Sequence, residues 1–388
     1  MNTIGTTLSA PWEAMLFATL LMAAPVVAAP RVHEAGSPAS PAARSAAGPW
    51  LTLLVLCLTL TVAFFTGQGS VAYLAITASA LVHAAGAWRQ SRTGAAMLIL
   101  SAVLTAAASA CLATGRLTAA LLLSAAAIAM RTGVMPLHAG VASLCDRAPV
   151  VQTQQLASAI ALVFVHLRFV DHHDAAIVIA PWLVRFGATA AIVAALITLV
   201  QKELRGFYRG TTAMHGGMVL AAVGTASIGN FAAALLVTVT MGLALGGIGI
   251  MTSALESRVG PVSFSGPGGR VMAFPVLAAA FALFGGAGVG LPGMAGFVAD
   301  DLLLHTLWME SPASTVAVIL ASALLAVATL IAYSSTFLGR GVPSLAPDLL
   351  GRERLVAIVL LLLLLLLGFL PGVLLTPADA FLSGPPPG

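Results

Sequence analysis

Long apolar runs, most of them long enough to cross a bilayer, follow one another along the chain. A helical span needs about 20 predominantly apolar residues, whereas a membrane β-strand reads as about ten alternating ones. The runs here are continuous, so they predict helices. Twelve are found, at 11–29, 49–66, 69–87, 94–114, 117–138, 150–170, 179–201, 211–228, 230–255, 271–308, 313–336 and 353–372. The run 271–308 is long enough for two helical pieces.

Small and polar residues separate some of these runs. Residues 30–48 are rich in Pro, Ser and Ala, and 257–270 contains SFSGPGG, so both read as flexible linkers. The run 11–29 ends in VVAAP, which resembles a signal-peptide cleavage site. The residues before it contain no Lys or Arg, which a signal peptide needs. We therefore interpret this run as a retained span.

Composition supports the same class. The chain has 388 residues, of which 60% are hydrophobic and 8% are charged, and its mean hydropathy is +1.04. A soluble domain carries about 25% charged residues, so these values exclude a soluble protein and predict an all-α polytopic membrane protein. The pI of about 9.4 does not indicate a nucleic-acid partner, because the net charge is only +4.

The basic residues predict the orientation in the membrane. With the connections numbered alternately, 13 of the 17 Lys and Arg fall on one side and only Arg116 on the other. The remaining three lie in or at the ends of spans. Basic residues favour the cytoplasmic side, so both termini are predicted on the non-cytoplasmic side.

Ionisable side chains inside the runs are the first functional candidates. A charge at the bilayer centre costs about 2.5–3.5 kcal/mol on insertion scales, so such residues face protein or water and are often functional. The candidates are Arg131, His166, Asp300 and Asp301, with His83, His215 and His305 behind them. Packing alone explains a lone histidine such as His83, and structural ion pairs remain an alternative for Arg131 and Asp300. The three cysteines have no metal-ligand spacing, so neither a metal nor a cofactor is expected.

Two of the runs contain helix-breaking residues. Gly133 and Pro136 follow Arg131 near the middle of one run, and Pro292 and Gly293 precede Asp300 in another. Proline removes a backbone donor, and a broken helix is tolerated at membrane depth only inside protein or beside a wet cavity. The sequence therefore predicts two broken helices, each beside an ionisable group, as in transporters with duplicated folds.

Three motifs carry a resemblance to a known family. The segment 130–150 is MRTGVMPLHAGVASLCDRAPV, the segment 199–220 is LVQKELRGFYRGTTAMHGGMVL, and LPGMAGFVADD covers 291–301. They resemble the antiporter-like membrane subunits of respiratory complex I, Mrp-type antiporters, membrane-bound hydrogenases and inorganic-carbon uptake complexes. Arg131 takes the position of the family's lysine, and His138 that of the histidine in its Pro-Leu-His.

The second and third motifs resemble the family's motifs position by position. Gln201, Glu203, Arg205, His215 and Gly217 fall on the family's Gln-Thr-Asp-Ile-Lys loop and the following Ser-His-Met-Gly helix. In the third motif, Asp300 takes the ionisable position and Asp301 an aspartate found in some members. The resemblance implies an ion pathway through Arg131, His138, His166, Glu203, Arg205, His215, Asp300, Asp301 and His305.

The resemblance also implies the architecture. The family core is two inverted five-helix repeats, each with a broken helix, and 49–170 and 179–336 supply five runs each. Residues 1–48 are expected to form an N-terminal span and a polar linker, and 353–388 a last span and a disordered tail. The family's first spans and a long lateral helix are not found in this sequence.

The departures from the family concern the first half. Pumping members carry a glutamate that would fall near Ala72, but residues 67–87 contain no carboxylate. The family lysine is Arg131, which does not release a proton at a working pH. The next lysine or histidine would fall at Leu162, one turn before His166. The second half keeps Asp300, Asp301 and His305.

These features predict an ion-translocating subunit of a larger membrane complex in the bacterial inner membrane. Protons are favoured over sodium, and the partners are the other subunits and the lipid bilayer. The alternative is a non-conducting scaffold derived from the same family, which the missing glutamate favours. An antiporter that works alone fits the family habit less well. No nucleotide loop or nucleophile constellation indicates an enzyme, except as a membrane subunit of an oxidoreductase-type complex.

Overall fold

The computed structural model is built of helices. It describes residues 15, 16, 18–21, 23, 24, 27, 47–169, 174–226, 231–265, 268–341 and 344–375. The helices of nine or more residues in this part are α1 (Ala47–Phe65), α2 (Gly69–Ala87), α3 (Arg92–Ala113), α4 (Leu117–Thr132), α5 (Ala139–Arg147), α6 (Pro149–Phe169), α7 (Asp174–Leu199), α8 (Leu204–Ala226), α9 (Phe231–Val259), α10 (Pro275–Gly288), α11 (Ala295–Glu310), α12 (Pro312–Phe337) and α13 (Gly351–Phe369). The described residues form no strand beyond an isolated bridge. The predicted all-α class is confirmed.

Six of the described helices are long and apolar enough to cross a membrane: α2, α3, α6, α7, α9 and α12. Shorter apolar helices are α4, α10 and residues 52–65 of α1. The most apolar parts of α6 and α9 are 94% and 100% buried inside the fold, whereas those of α7 and α12 are 39% buried. The bundle therefore has α6 and α9 at its centre and α7 and α12 at its periphery. The predicted polytopic membrane protein is confirmed.

Part of the first predicted span packs against this centre. Among the described residues of 11–29, Ala18, Leu21 and Ala24 are buried. A Cβ built on Gly242 or Gly246 of α9 would collide with Leu21, so these two glycines leave room for its side chain. The predicted linker up to residue 46 and the predicted disordered tail from residue 376 lie outside the described residues.

The first predicted helix break is present. α4 ends before Gly133, whose φ of +77° is the left-handed conformation that glycine tolerates best. The N–H of Gly133 donates to the carbonyl oxygen of Ala129, which closes the end of the helix. Pro136 lies in the turn that follows, and α5 begins at Ala139.

The second predicted break is also present. α10 ends at Gly288 and α11 begins at Ala295. Between them, Gly290 and Gly293 adopt φ angles of +76° and +88°, and Pro292 supplies no backbone donor. The chain therefore changes direction through positions where a larger residue would be strained.

The order of the elements places a broken helix fourth in each set of five. The first set is α1, α2, α3, α4 with α5, and α6, and the second is α7, α8, α9, α10 with α11, and α12. This order agrees with five helices in each repeat. The boundaries of the repeats at 49–170 and 179–336 stay a prediction.

Two local features differ from the expectation. Residues 139–147 form the short helix α5, which the pattern of long apolar runs did not reveal because it spans only nine residues. The segment 257–270 was expected to be flexible. In its described part, a main-chain hydrogen bond from Phe264 N to Lys202 O, at 2.8 Å, attaches it to the residues before α8. Such hydrogen bonds cannot be predicted from the composition of the segment, because nearly every residue has the same backbone donor and acceptor.

Candidate ion pathway at the two helix breaks

Arg131 lies in the last turn of α4, directly before the first break, and is fully buried. Its Nε donates to Ser101 Oγ of α3 at 2.8 Å and its Nη1 to Ser158 Oγ of α6 at 3.2 Å. Its Nη2 donates to the carbonyl oxygen of Ile76 in α2 at 3.1 Å. The guanidinium thus joins four helices through neutral partners, and no described carboxylate forms an ion pair with it.

The surroundings of Arg131 offer little that exchanges protons. The C-terminal end of α4 carries partial negative charge, which offsets part of the buried positive charge. Ala72, at the position of the family glutamate, is a buried alanine of α2. His83 is buried near enough to Arg131 for their charges to interact, and neither ring nitrogen has a partner among the described residues. Arg131 is thus a buried guanidinium whose hydrogen-bond partners are neutral.

Two further histidines lie in the first half. His138 is half-buried at the start of α5, beside the break. His166 is fully buried on α6, with Nδ1 2.7 Å from Ser124 Oγ of α4. Its Nε2 has no partner within the described part of the chain. Leu162, one turn earlier, is buried and apolar, so His166 is the titratable group that α6 presents here.

Two titratable side chains lie beside the second break. Asp300 lies in the second turn of α11, and a Cβ added to Gly290 would come within 2.9 Å of its Oδ2, so the carboxyl group lies against the backbone of the break. His215 of α8 places Nε2 2.8 Å from the carbonyl oxygen of Gly288. Asp300 and His215 therefore approach the same short segment, 288–290.

His215 has an uncommon set of partners. Its Nδ1 lies 2.9 Å from the carbonyl oxygen of Thr211, and its Nε2 contacts the carbonyl of Gly288. Carbonyl oxygens only accept, and a neutral imidazole carries one N–H, so the neutral ring donates to one carbonyl at a time. A protonated ring donates to both. The number of hydrogen bonds that hold this break thus depends on the protonation of His215.

Asp301 and His305 do not join this group. They share one face of α11, as the sequence predicted, but both side chains are exposed on the outside of the described bundle. Adjacent helical residues point about 100° apart, so Asp300 and Asp301 cannot both face the break. The predicted neighbours therefore separate into one inward and one outward carboxylate.

Glu203 and Arg205 lie at the start of α8, at the predicted cytoplasmic face. Glu203 is exposed. Arg205 pairs with Glu256 of α9, and its Nη1 donates to the carbonyl oxygens of Cys145 at 2.9 Å and Asp146 at 2.5 Å. Arg205 thus ties the end of α5 to α8 and α9, away from both breaks.

A half-open cavity of about 630 Å³ lies beside this ionic contact. Asp146, Arg205, Glu256 and Glu353 contribute its charged lining, and α6 and α9 its apolar walls. Sequence reasoning missed the acidic members, because their partners are distant in the chain. Glu353 pairs with Arg258, for example, and no spacing signal connects residues that far apart.

Comparison with known proteins identifies the family. The model of the family described as NADH:quinone oxidoreductase/Mrp antiporter, TM, matches residues 61–326, more than half of the chain. The chain belongs to this family. The match covers Arg131, His215 and Asp300 and both helix breaks, so the antiporter-like assignment is confirmed.

The curated relatives share less than 30% identity with this chain, over less than half of its length. It is 29% identical over 124 residues to NAD(P)H-quinone oxidoreductase chain 4, chloroplastic, of Cycas taitungensis, which covers 32% of this chain and 25% of the relative. It is 24% identical over 183 residues to the same protein of Cryptomeria japonica, covering 46% of this chain and 36% of the relative. The chain therefore aligns with a quarter to about a third of these relatives.

Solved structures share the fold over nearly the whole chain. Respiratory complex I from Thermus thermophilus with bound NADH contains a chain with a TM-score of 0.81 and 20% identity, covering 96% of this chain and 84% of that one. The Mrp complex from Dietzia sp. DQ12-45-1b gives a TM-score of 0.75 at 18% identity, with 95% and 82% coverage. At these identities the likeness concerns the fold.

Proposed function

We propose that this antiporter-like chain translocates protons as a membrane subunit of a larger energy-coupling complex. The observation that carries the proposal is the convergence of Asp300 and His215 on the second helix break. A carboxylate and an imidazole beside an interrupted helix are the groups that relay protons at membrane depth. Sodium is the less favoured ion, because hard cations prefer oxygen ligands and an imidazole nitrogen suits transition metals.

The first half contributes a fixed charge in this proposal. Arg131 stays protonated and is held by three hydrogen bonds, so it positions α2, α3, α4 and α6 without exchanging its proton. The main proton-exchanging groups, Asp300 and His215, then lie in the second half. His166, His138 and the exposed Asp301 and His305 are secondary candidates of the pathway.

The alternative is a scaffold that conducts no ion. It is favoured by Ala72, where the pumping members of the family carry a glutamate, and by the neutral partners of Arg131. Asp300 argues against it, since a pure scaffold has no need for a carboxyl group placed against a helix break. The two functions differ in one measurable property, the flux of protons.

The proposed function includes assembly of this chain with other membrane subunits. The solved relatives come from a respiratory complex I and an Mrp complex, and we infer that this chain also assembles with other subunits in the bacterial inner membrane. Its termini are then on the non-cytoplasmic side. Any redox chemistry belongs to those partner subunits.

The test compares two carboxylate-to-amide variants of the same helix. Asp300→Asn keeps the size of the side chain and removes its titration, whereas Glu310→Gln makes the same change at the far end of α11. Proton flux is measured with a pH-sensitive dye in vesicles that hold the assembled complex. We expect Asp300→Asn to reduce flux at least tenfold with assembly intact, and Glu310→Gln to leave it unchanged. Full flux with Asp300→Asn would favour the scaffold.

A further inference from the structure

The outer face of α11 carries a row of two aromatic and two ionisable side chains. Phe297, Asp301, His305 and Trp308 recur at helical spacing and are all exposed, Phe297 by 47% and Trp308 by 58%. Within the described residues, neither Asp301 nor His305 has a hydrogen bond or ion-pair partner. These four residues are called the α11 outer stripe.

The depth of the stripe follows from its neighbour α12, which is long and apolar enough to cross a membrane. α11 packs against α12, and the two meet at Ser311. At 1.5 Å per residue, Asp301 is about 15 Å from this junction along α11, and the middle of the 26-residue α12 is about 20 Å from it. For two helices that run antiparallel from this junction, Asp301 lies within about 5 Å of the level of the middle of α12. Its short side chain cannot reach the headgroups as a lysine or arginine can.

Lipid is a poor neighbour for this surface. Carboxylates within membrane spans almost always face protein or water, because hydrocarbon offers them no partner. The exposed face of α12 provides the contrast, since its outward residues at the same depth, including Ile319, Leu320 and Val327, are apolar. The α12 face suits lipid, and the α11 outer stripe suits a protein that supplies a hydrogen-bond donor.

We propose that the α11 outer stripe is the contact surface for a transmembrane helix of a partner subunit, which places a lysine or arginine opposite Asp301. This inference rests on the proposed membership of a complex. Phe297 and Trp308 supply apolar contact at the two ends of the stripe, and the pairing of Asp301 with a cation supplies specificity. A second copy of the chain does not fit, because a two-fold contact through this stripe would bring two Asp301 carboxylates together.

The first test locates the neighbour of the stripe. A photoreactive phenylalanine derivative is placed at Trp308 and, as the matched control, at Leu320 on the apolar face of α12. After irradiation of the complex in membranes, we expect a product between Trp308 and one other subunit, at least tenfold more abundant than from Leu320. Reaction with lipid alone, or with a second copy of the chain, while other subunits co-purify, would overturn the inference and leave the proposed function standing. A wild-type chain that purifies with no other subunit would instead contradict the proposed complex.

The second test examines the charge. Asp301→Asn keeps the shape, and Asp301→Lys places a cation opposite the expected basic residue. Co-purification of the cross-linked subunit should fall at least tenfold with Asp301→Lys and less with Asp301→Asn. Changing the partner's basic residue to aspartate should restore binding to Asp301→Lys. Equal recovery of the subunit with all three chains would contradict a charged contact.

Discussion

His215 Nε2 lies 2.8 Å from the carbonyl oxygen of Gly288, so a side chain of α8 holds the end of α10 at the second helix break. The last carbonyls of a helix have no partner within the helix and must find a donor elsewhere. His215 supplies that donor from a neighbouring element when Nε2 carries a proton, and its other ring nitrogen faces the carbonyl of Thr211. The carbonyl at the end of α10 is therefore contacted by a histidine 73 residues earlier in the chain.

Replacement of His215 should loosen the break. His215→Leu removes both contacts and leaves the carbonyl of Gly288 without its donor, which costs about 1–3 kcal/mol. His215→Gln retains one amide donor and should cost less. The measurements are the unfolding midpoint in detergent and hydrogen exchange of residues 289–294. Equal midpoints and exchange for the two variants would show that the contact does not stabilise the break.

Gly290 tests the position of the Asp300 carboxyl group. Gly290→Ala places an L-residue at φ +76°, which costs roughly 1–2 kcal/mol, and its Cβ displaces Asp300 Oδ2. The matched control is Gly115→Ala, where φ is +71° and no atom lies within 4 Å of the new Cβ. Both variants should lose similar stability, but only Gly290→Ala should lose proton flux. A flux loss of the same size in both variants would show that displacement of the Asp300 carboxyl group is not the cause.

The Arg258–Glu353 pair should contribute more stability than its neighbour Arg209–Asp146. Arg258 and Glu353 are 7% and 2% exposed, whereas Arg209 and Asp146 are 33% and 32% exposed. Breaking a buried pair leaves an uncompensated charge and costs about 3–5 kcal/mol, whereas an exposed pair contributes about 0–1 kcal/mol. Thermal unfolding of Glu353→Gln and Asp146→Asn makes the comparison. A larger loss of thermal stability with Asp146→Asn than with Glu353→Gln would contradict this prediction.

The sequence predicted the fold and both helix breaks because proline and glycine act locally. Gly133 and Pro136 interrupt one helix, and Pro292 and Gly293 the other, without help from distant residues. The burial of Arg131 at the first break agrees with its predicted place in the middle of a span, and its role as a fixed charge stays a prediction. Its partners Ser101, Ser158 and Ile76 were not predictable, because they depend on how four helices pack.

The sequence was less informative about which way each side chain points from its helix. It placed Asp300, Asp301 and His305 in one pathway, and only the packing of α11 shows that Asp300 alone faces the break. The pairing of His215 with Gly288 likewise had no signal, because it joins a side chain to a backbone carbonyl. A motif identifies which residues are present at a site, whereas the rotation of the helix decides which of them meet.

The central claim is that protons exchange in the second half while Arg131 remains a fixed cation. The most direct measurement compares proton flux in vesicles carrying Asp300→Asn or Arg131→Lys with flux through the wild-type complex, at equal amounts of assembled complex. Arg131→Lys preserves the charge and should retain at least a third of the wild-type flux, whereas Asp300→Asn should lose at least nine-tenths of it. Normal flux with Asp300→Asn, together with loss of flux in Arg131→Lys, would contradict the account and place proton exchange in the first half.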